Sequence, residues 1–389
     1  MALGCVGCWF AAGIGSRFFW PLTNQLDFAK AFDKVPHQRL LRKLRYYGVT
    51  GPTLRWINAF LTDRTQQVAL EGVHSAPAAV TSGVPQGTVL GPLLFLAYIN
   101  DLPDTAKHSK TRLFADDSLL HRDIKCTKDQ QLLQADLDAL AVWEKDWQMS
   151  FNASKCNSIH VVHGKGKEPL KFNYKLHGQI LENVKSSKYL GVTINNQLTW
   201  SEHVDNVAAK GKMKVGFLRR NFKECTQTTK AATYTTIVRP SLDYASSVWD
   251  PHLEKDKESL EKVQRQAARY VHNNYTDRTP GTVKTMLANL QWENLERRRK
   301  IQRLLMLYKI QNSLVDIDNQ LYIKQSDPRT RGNRVHQERA FHPAITNTFF
   351  PRTKSDWNQL PTTATSAPSL DSFHARLSHN QLWASMGGP

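Results

Sequence analysis

The spacing of apolar residues predicts alternating strands and helices over the first half of the chain. HQRLLRKLRYYG predicts a helix that ends before Gly48, with one apolar face made by Leu40, Leu41, Leu44 and Tyr47. GPTLRWINAFL and KDQQLLQADLDALAVWEKDWQM show the same periodicity and predict two more helices. VLGPLLFLAYINDL is almost wholly apolar, which predicts a buried helix, and TRLFADDSLLHR predicts two short strands that meet at two aspartates. This half is therefore predicted to be mixed α/β.

Strand signals fade beyond residue 200, where basic amphipathic helices are predicted. The segments HVDNVAAKGKMKVGFLRRN, ESLEKVQRQAARYVHN and WENLERRRKIQRLLMLYKIQ carry this pattern, and the chain from about residue 322 contains enough Pro, Asn and Thr to predict irregular structure. Four regions follow: an atypical N-terminal segment at 1–25, an α/β domain at 26–195, a helical basic region at 196–321 and an irregular region at 322–389.

Charge and cysteine content narrow the function classes. Lys and Arg number 52 against 34 Asp and Glu, a net charge of +18 that favours a polyanionic partner such as nucleic acid. Cys5 and Cys8 form a C-x-x-C without a second ligand pair nearby, so free thiols in a reducing compartment are expected. The apolar N-terminus lacks a leading basic region and is interrupted by Arg17, which predicts neither signal peptide nor membrane anchor. An intracellular location, cytoplasmic or nuclear, is expected.

The pair Asp116–Asp117 has two explanations. Adjacent carboxylates repel each other and suit a solvated turn, but a bound metal would also cancel that repulsion. Asp27 ends a predicted extended segment, and if it lies opposite the pair in one sheet, three carboxylates could hold two Mg²⁺ ions about 4 Å apart. Asp33 has a simpler interpretation as a helix cap.

The segment SGVPQGTVLGPLLF predicts a loop that turns tightly and lets backbone approach a ligand. Its special residues are Gly83, Pro85, Gly87 and Gly91. Gln86 offers a neutral donor and acceptor for a base or sugar, although a purely structural turn explains the glycines equally well.

Five segments then carry a resemblance to a known family. LDFAKAFDKVPH, SGVPQGTVLGPLLFLAYINDLP, FADD, MSFNASKC and KYLGVTI stand in the order of the palm motifs of reverse transcriptases, and they are most similar to those of non-LTR (LINE-type) retrotransposons. The resemblance implies an α+β fold: a polymerase palm of an antiparallel sheet and helices, followed by a helical thumb-like region. It implies an RNA-directed DNA polymerase, a nucleotidyltransferase with two Mg²⁺ ions (or Mn²⁺), an RNA template, a DNA primer and deoxynucleoside triphosphates.

The resemblance also implies roles for single residues. Asp27 and Asp116 would bind metal with Asp117 as their partner, and Lys155 would protonate the pyrophosphate leaving group unless it is only a surface lysine. Phe32 would exclude the nucleotide 2′-hydroxyl, or else pack in the core. The remaining roles are nucleotide and template contact for Gln86 and Gly87, and a primer grip, or a simple strand bend, for Tyr189, Leu190 and Gly191.

The chain departs from the family pattern ahead of Asp27. About 25 residues stand where the family has fingers, and Thr23, Asn24 and Gln25 occupy a strand that should be apolar. No endonuclease domain is recognisable. The sequence therefore predicts a truncated copy that polymerises weakly or not at all.

Two other functions stay open at this point. One is a non-enzymatic remnant that binds nucleic acid through basic helices such as ERRRKIQRLLMLYK. The other is a palm-like nucleotide cyclase, against which stand the Gln86–Gly87 loop and the KYLGV segment.

Overall fold

The computed structural model describes residues 20–161, 172–324, 334–337 and 346–379. Within it the chain divides into two compact units between Tyr189 and Leu190. The N-terminal segment with Cys5, Cys8 and Arg17 lies outside the described residues. No helix in the described ranges combines the length and the apolar character needed to cross a membrane.

The first unit alternates strands with helices. Its strands are β1 (Trp20–Asp27), β2 (Arg64–Gln66), β3 (Ala69–Leu70), β4 (Val73–His74), β5 (Ala78–Val80), β6 (Lys110–Phe114), β7 (Asp117–Ile124), β8 (Asn157–His160), β9 (Lys175–Leu176), β10 (Gln179–Ile180), β11 (Glu182–Asn183) and β12 (Ser186–Tyr189). Its helices are α1 (His37–Tyr46), α2 (Gly51–Leu61), α3 (Leu90–Ile99), α4 (Leu102–Thr105) and α5 (Thr127–Trp147).

The main sheet has the order β11-β8-β1-β7-β6, and β1 pairs antiparallel with both of its neighbours. Helices α1 to α4 lie between β1 and the β6–β7 hairpin, and α5 connects β7 to β8, which is a ferredoxin-like order. The apolar faces of α1, α2 and α5 lie in one buried cluster against this sheet. The predicted α+β palm with an antiparallel sheet is confirmed.

Two local expectations differ from the structure. Thr23 and Asn24 are buried in the central strand β1, so polar side chains do occupy a core position of the sheet. The predicted buried helix α3 is buried on one face only, because Leu93 and Leu96 are exposed along the other. Its inward face carries Phe95 and Tyr98, and neither ring is exposed.

The second unit is helical apart from one short strand. It contains β13 (Val192–Asn195), a π-helix at Tyr234–Val238, and the helices α6 (Ser201–Asn221), α7 (Gln227–Thr233), α8 (Arg239–Asp243), α9 (Ser246–Trp249), α10 (Glu254–Val271), α11 (Thr282–Asn289), α12 (Leu295–Gln311), α13 (Asn319–Tyr322), α14 (Phe349–Asn358), α15 (Thr362–Thr365) and α16 (Leu370–Ser378).

The irregular structure predicted for 322–389 is wrong for residues 349–378. Helices α14 and α16 bury Trp357 and Phe373 in a cluster with Leu304 and Leu307 of α12. Tertiary burial of a few large apolar side chains outweighs the weak local propensity of this Pro- and Thr-containing stretch.

Candidate active site

Asp27 and Asp117 face each other across the middle of the main sheet. Asp27 is the last residue of β1, Asp117 is the first residue of β7, and the two are direct partners in the antiparallel register. Since partners in an antiparallel pair project on the same side, both carboxylates emerge on one face at one end of the sheet.

Asp116 reaches the same place through a two-residue turn. The β6–β7 hairpin pairs Phe114 with Asp117 and leaves only Ala115 and Asp116 in the turn. Ala115 has φ of 50°, in the left-handed region that favours glycine. An L-residue held there stores strain of about 1–3 kcal/mol, a feature that clusters at functional sites.

The electrostatics of the three aspartates are those of crowded carboxylates. Burial, followed by the negative charges of Asp116 and Asp27, raises the pKa of Asp117. Carboxylate oxygens are the ligands that Mg²⁺ prefers, and a cation would remove the mutual repulsion. The donor set therefore fits a divalent ion, although no group of three acidic, His or Cys side chains in the described ranges is closed around a single metal position.

The MSFNASKC segment is fastened to the end of β1. The Asn152 N–H donates to the Asp27 carbonyl at 2.6 Å, and the ring of Phe151 stacks on Phe28 with centroids 4.2 Å apart. These contacts bring the Lys155 Nζ to 3.9 Å from Asp27 Oδ2, while the lysine side chain is 63% exposed. The predicted Lys155 thus lies beside the predicted metal carboxylate as a solvated counter-charge.

Cys156 has a part in the site that the sequence did not signal. Its Sγ accepts the Asp27 N–H at 3.4 Å, and burial raises the pKa of the Cys156 thiol to about 11. The thiol is therefore neutral, and its contact is with the backbone of Asp27. A nucleophilic role for Cys156 is disfavoured, because it would need a lowered pKa.

The SGVPQG loop is fastened to the chain that follows Asp27. Gly83 donates its N–H to the Val35 carbonyl at 2.8 Å, and Val84 donates to the Phe32 carbonyl at 2.8 Å. Gly83 has φ of +93°, and a Cβ there would lie 2.8 Å from Asp33 Cα. Only glycine fits this approach, so Gly83 supports the structural-turn interpretation of the loop, and the approach of its backbone to a ligand stays a prediction.

Asp33 does not cap a helix. Helix α1 begins at His37 with Pro36 at its N-cap, and the Asp33 carboxylate accepts the Gln86 Nε2 at 2.9 Å instead. Gln86 and Gly87 are exposed at the tip of the loop. Gln86, the predicted nucleotide contact, is therefore held through its Nε2, and its Oε1 takes no part in this hydrogen bond.

Phe32 is half-buried and stacks on Phe95 with centroids 4.5 Å apart. The core-packing interpretation of Phe32 thus has a contact to support it. Its proposed exclusion of a 2′-hydroxyl stays a prediction.

The comparisons with known proteins agree on one family. Residues 22–194 match the family model of reverse transcriptase (RNA-dependent DNA polymerase). Over 241 residues the chain is 30% identical to the RNA-directed DNA polymerase from mobile element jockey of Drosophila melanogaster, and over 267 residues it is 30% identical to the probable RNA-directed DNA polymerase from transposon BS of the same species. The chain contains a reverse transcriptase domain of the non-LTR (LINE-type) retrotransposon kind.

These matches cover more of this chain than of the relatives. The alignment spans 58% of this chain and 25% of the jockey protein, and 63% of this chain and 28% of the BS protein. The chain thus spans about a quarter of the length of the curated relatives that it matches.

Apo telomerase from Candida tropicalis superposes with a TM-score of 0.41 at 11% identity, over 79% of this chain and 49% of that one. This value is too low to define the fold, which rests on the strand order instead.

Reverse transcriptases generally use divalent metal ions.

The residues of this reverse transcriptase domain predicted to grip the primer lie at the division between the two units. Tyr189 is the buried last residue of β12, and Leu190 and Gly191 follow with φ of 46° and 83°. The Tyr244 hydroxyl donates to the Leu190 carbonyl at 2.9 Å. The segment therefore bends sharply, as either of its two sequence interpretations requires.

The basic helix α12 does not present its charges to a ligand. Arg299 and Arg303 donate through Nε to the two carboxylate oxygens of Asp250, each at 2.8 Å, and all three side chains are buried. Burial alone would raise the pKa of Asp250, but the charges of Arg303, Arg352 and Arg299 outweigh it and lower the pKa.

Three further cations of α12 are also paired. Arg298 lies 2.7 Å from Asp243, Lys300 lies 3.0 Å from Asp356, and Arg297 lies 3.4 Å from Glu293. These five cations are therefore engaged within the second unit, and the hypothesis that this helix binds nucleic acid stays a prediction without support from them.

Helix α6 of the second unit offers a better polyanion surface. Lys210, Met213, Phe217 and Arg220 recur at helical spacing and are exposed. No described carboxylate lies within ion-pair distance of Lys210 or Arg220. Such a stripe, with apolar side chains between cations, suits the sugar and phosphate edge of a duplex.

Proposed function

We propose that this chain supplies the catalytic palm of an RNA-directed DNA polymerase that adds deoxynucleotides to a primer 3′-hydroxyl. The observation that carries this proposal is the register of the sheet, which sets Asp27 opposite Asp117 and places Asp116 in the adjoining turn. In this proposal residues 26–195 form the palm and residues 196–321 the thumb-like region.

The three aspartates would hold two Mg²⁺ ions, for which Mn²⁺ could substitute. When bound, such ions favour the ionised primer hydroxyl and neutralise charge that develops on the transferring phosphate. The chain itself would contribute position. Pairing with β7 on one side and the Asn152 N–H on the other fix the backbone of Asp27, and the short hairpin turn fixes Asp116 beside it.

Lys155 would act on the leaving group. Its ammonium lies 3.9 Å from Asp27 Oδ2 on a solvated side chain, so it could reach a pyrophosphate beside the metal carboxylates and donate a proton to it. Phe32 would limit the space at the sugar, and Gln86 and Gly87 would contact the nucleotide and the template base.

The experiment is primer extension on RNA and DNA templates with purified protein and Mg²⁺. We expect weak extension that Asp116→Asn reduces at least 100-fold, whereas Asp104→Asn, on the exposed turn of α4, leaves it unchanged. Metal binding gives a second readout, since Asp116→Asn should weaken Mn²⁺ affinity measured by calorimetry. Equal extension by wild type and Asp116→Asn would refute the assignment.

A second candidate function is nucleic-acid binding without catalysis, which the exposed stripe of α6 favours. Lys210→Glu with Arg220→Glu should weaken binding of a primed RNA template and lower its salt dependence by about two counterions. Lys255→Glu with Lys262→Glu, at two exposed cations of α10, serves as the charge-matched control. Binding without metal-dependent extension would select this candidate, and turnover of free nucleotide without a primed template would select a cyclase. The intracellular location stays a prediction.

A further inference from the structure

Gln25 occupies a position where the sequence predicts an apolar strand residue. It precedes Asp27 by two positions in β1, so both side chains project on the same face of the sheet. Its amide makes two hydrogen bonds to β12: Oε1 accepts the Ser187 Oγ–H at 2.6 Å, and Nε2 donates to the Lys188 carbonyl at 3.2 Å.

Asn157 completes a polar cluster around the Ser187 hydroxyl. It lies opposite Gln25 in the β1–β8 register and donates its Nδ2 to Ser187 Oγ at 3.2 Å. The hydroxyl therefore donates to Gln25 and accepts from Asn157. This Gln25–Asn157–Ser187 cluster joins three strands of the first unit through side chains.

Strand β12 is not a member of the five-stranded sheet. Within the first unit, the side chains of the cluster join it to β1 and β8. Ser187 stands two residues before Tyr189, just as Gln25 stands two residues before Asp27. The cluster thus connects the strand that ends at a metal-binding candidate with the strand that ends at the primer-grip candidate.

We propose that Gln25 is a positioning residue that fixes β12, and with it Tyr189, at a set distance from Asp27. This inference builds on the proposed polymerase function: the primer end held near Tyr189 must meet the metal site with little freedom, since a displacement of about 1 Å can lower a rate about 100-fold. Gln25 touches no substrate itself. Its polarity, unusual for a central strand, is explained by this task.

The first test compares substitutions within the cluster. Gln25→Leu removes both bonds at similar volume, Ser187→Ala removes the shared hydroxyl, and Ser187→Thr restores it. Thr23→Val, on the same face of β1, is the matched control. We expect Gln25→Leu and Ser187→Ala each to raise the KM for primer about tenfold with little change in the KM for nucleotide. The double variant should be no worse than either single one, while Ser187→Thr and Thr23→Val stay near wild type.

The second test does not need activity. Hydrogen exchange of the β12 amides, residues 186–189, should speed up at least tenfold in Gln25→Leu and not in Thr23→Val, and the Kd for a primed RNA–DNA duplex should rise in parallel. If the wild type extends no primer, the polymerase proposal fails, and these two measurements still decide the inference. Unchanged exchange at β12, or multiplicative effects in the double variant, would overturn it.

Discussion

Asp33 Oδ1 and Gln86 Nε2 are joined by a hydrogen bond of 2.9 Å across 53 residues of chain. The bond connects the segment after β1 with the tip of the SGVPQG loop. It orients the amide of a residue that the family resemblance assigns to nucleotide and template contact, so it makes Asp33 part of the loop rather than of a helix cap.

Asp33→Ala should therefore lower kcat/KM for the incoming nucleotide while changing the free energy of unfolding only slightly. Loss of one anchoring hydrogen bond, worth about 1–1.5 kcal/mol, should lower kcat/KM for the incoming nucleotide about tenfold. Steady-state primer extension measures it. Asp33→Asn keeps an acceptor oxygen and should stay near wild type. An equal defect in both variants would mean that the charge of Asp33, and not this bond, is what matters.

Gly83 and Gly87 should respond differently to alanine. A Cβ at Gly83 would lie 2.8 Å from Asp33 Cα and O, whereas the space around Gly87 is open at φ of +75°. Gly87→Ala should destabilise the fold by about 1–2 kcal/mol, the usual penalty of the left-handed region. Gly83→Ala adds a backbone collision and should cost distinctly more. Urea unfolding of both variants measures this difference in stability. Similar unfolding midpoints would contradict the close approach of Gly83 to the Asp33 backbone.

Asn24→Leu should stabilise the first unit. Asn24 is fully buried in β1, and neither polar atom of its side chain has a hydrogen-bond partner in the described structure. Leaving such a group unsatisfied costs about 1–3 kcal/mol, so an apolar side chain of similar size should raise the free energy of unfolding by about 1–2 kcal/mol. Asn24→Asp, which buries a charge at the same place, should lower it. A loss of stability in Asn24→Leu would contradict the structure at this position.

Asp250→Asn should be strongly destabilising. It would leave the buried Arg299 and Arg303 without their common carboxylate, a situation that costs about 3–5 kcal/mol. Asp243→Asn is the matched control, because it breaks the more exposed pair with Arg298 and should cost about 1 kcal/mol or less. Equal losses in chemical denaturation would show that the Asp250 cluster is no more than a surface ion pair.

His121 should make stability fall in mild acid. Burial lowers the pKa of His121 from its ordinary 6.5 to about 4, so the folded chain favours the neutral ring. This contribution is complete above pH 6.5 and is lost as the pH falls from 6.5 towards 4, by about 3 kcal/mol in all. In His121→Gln the unfolding free energy should fall less steeply between pH 6.5 and 4.5. The slope against pH should be smaller by an amount that corresponds to at most one bound proton. Identical slopes would contradict the buried neutral histidine.

Local patterns predicted most of the first unit. Helices α1 and α5 and the β6–β7 hairpin follow from apolar periodicity, because each buries one face formed by residues close in sequence. The antiparallel pairing of Asp27 with Asp117 was only a conditional expectation, because the sequence marked an extended segment and a turn with two acids but not that the two share a sheet. The roles assigned to the site residues remain predictions.

Long-range pairings were not accessible from the sequence. Ser187 meets Gln25 over 162 residues, and Asp250 gathers arginines from 49 and 53 residues away. A run such as ERRRK looks the same whether its charges face solvent or an internal carboxylate. The helices at 349–378 form because distant apolar side chains cover them, which local propensity does not record.

The position of β1 has a consequence for how the acidic site moves. Asp27 ends a strand that is paired along both edges, so releasing it requires disrupting the centre of the sheet. Asp116 sits in a two-residue turn at the end of one hairpin, beside a strained alanine. Asp27 is therefore the more rigid side of the acidic site and the β6–β7 hairpin the more mobile side. A change in the spacing of ions between the three carboxylates would require movement of the hairpin.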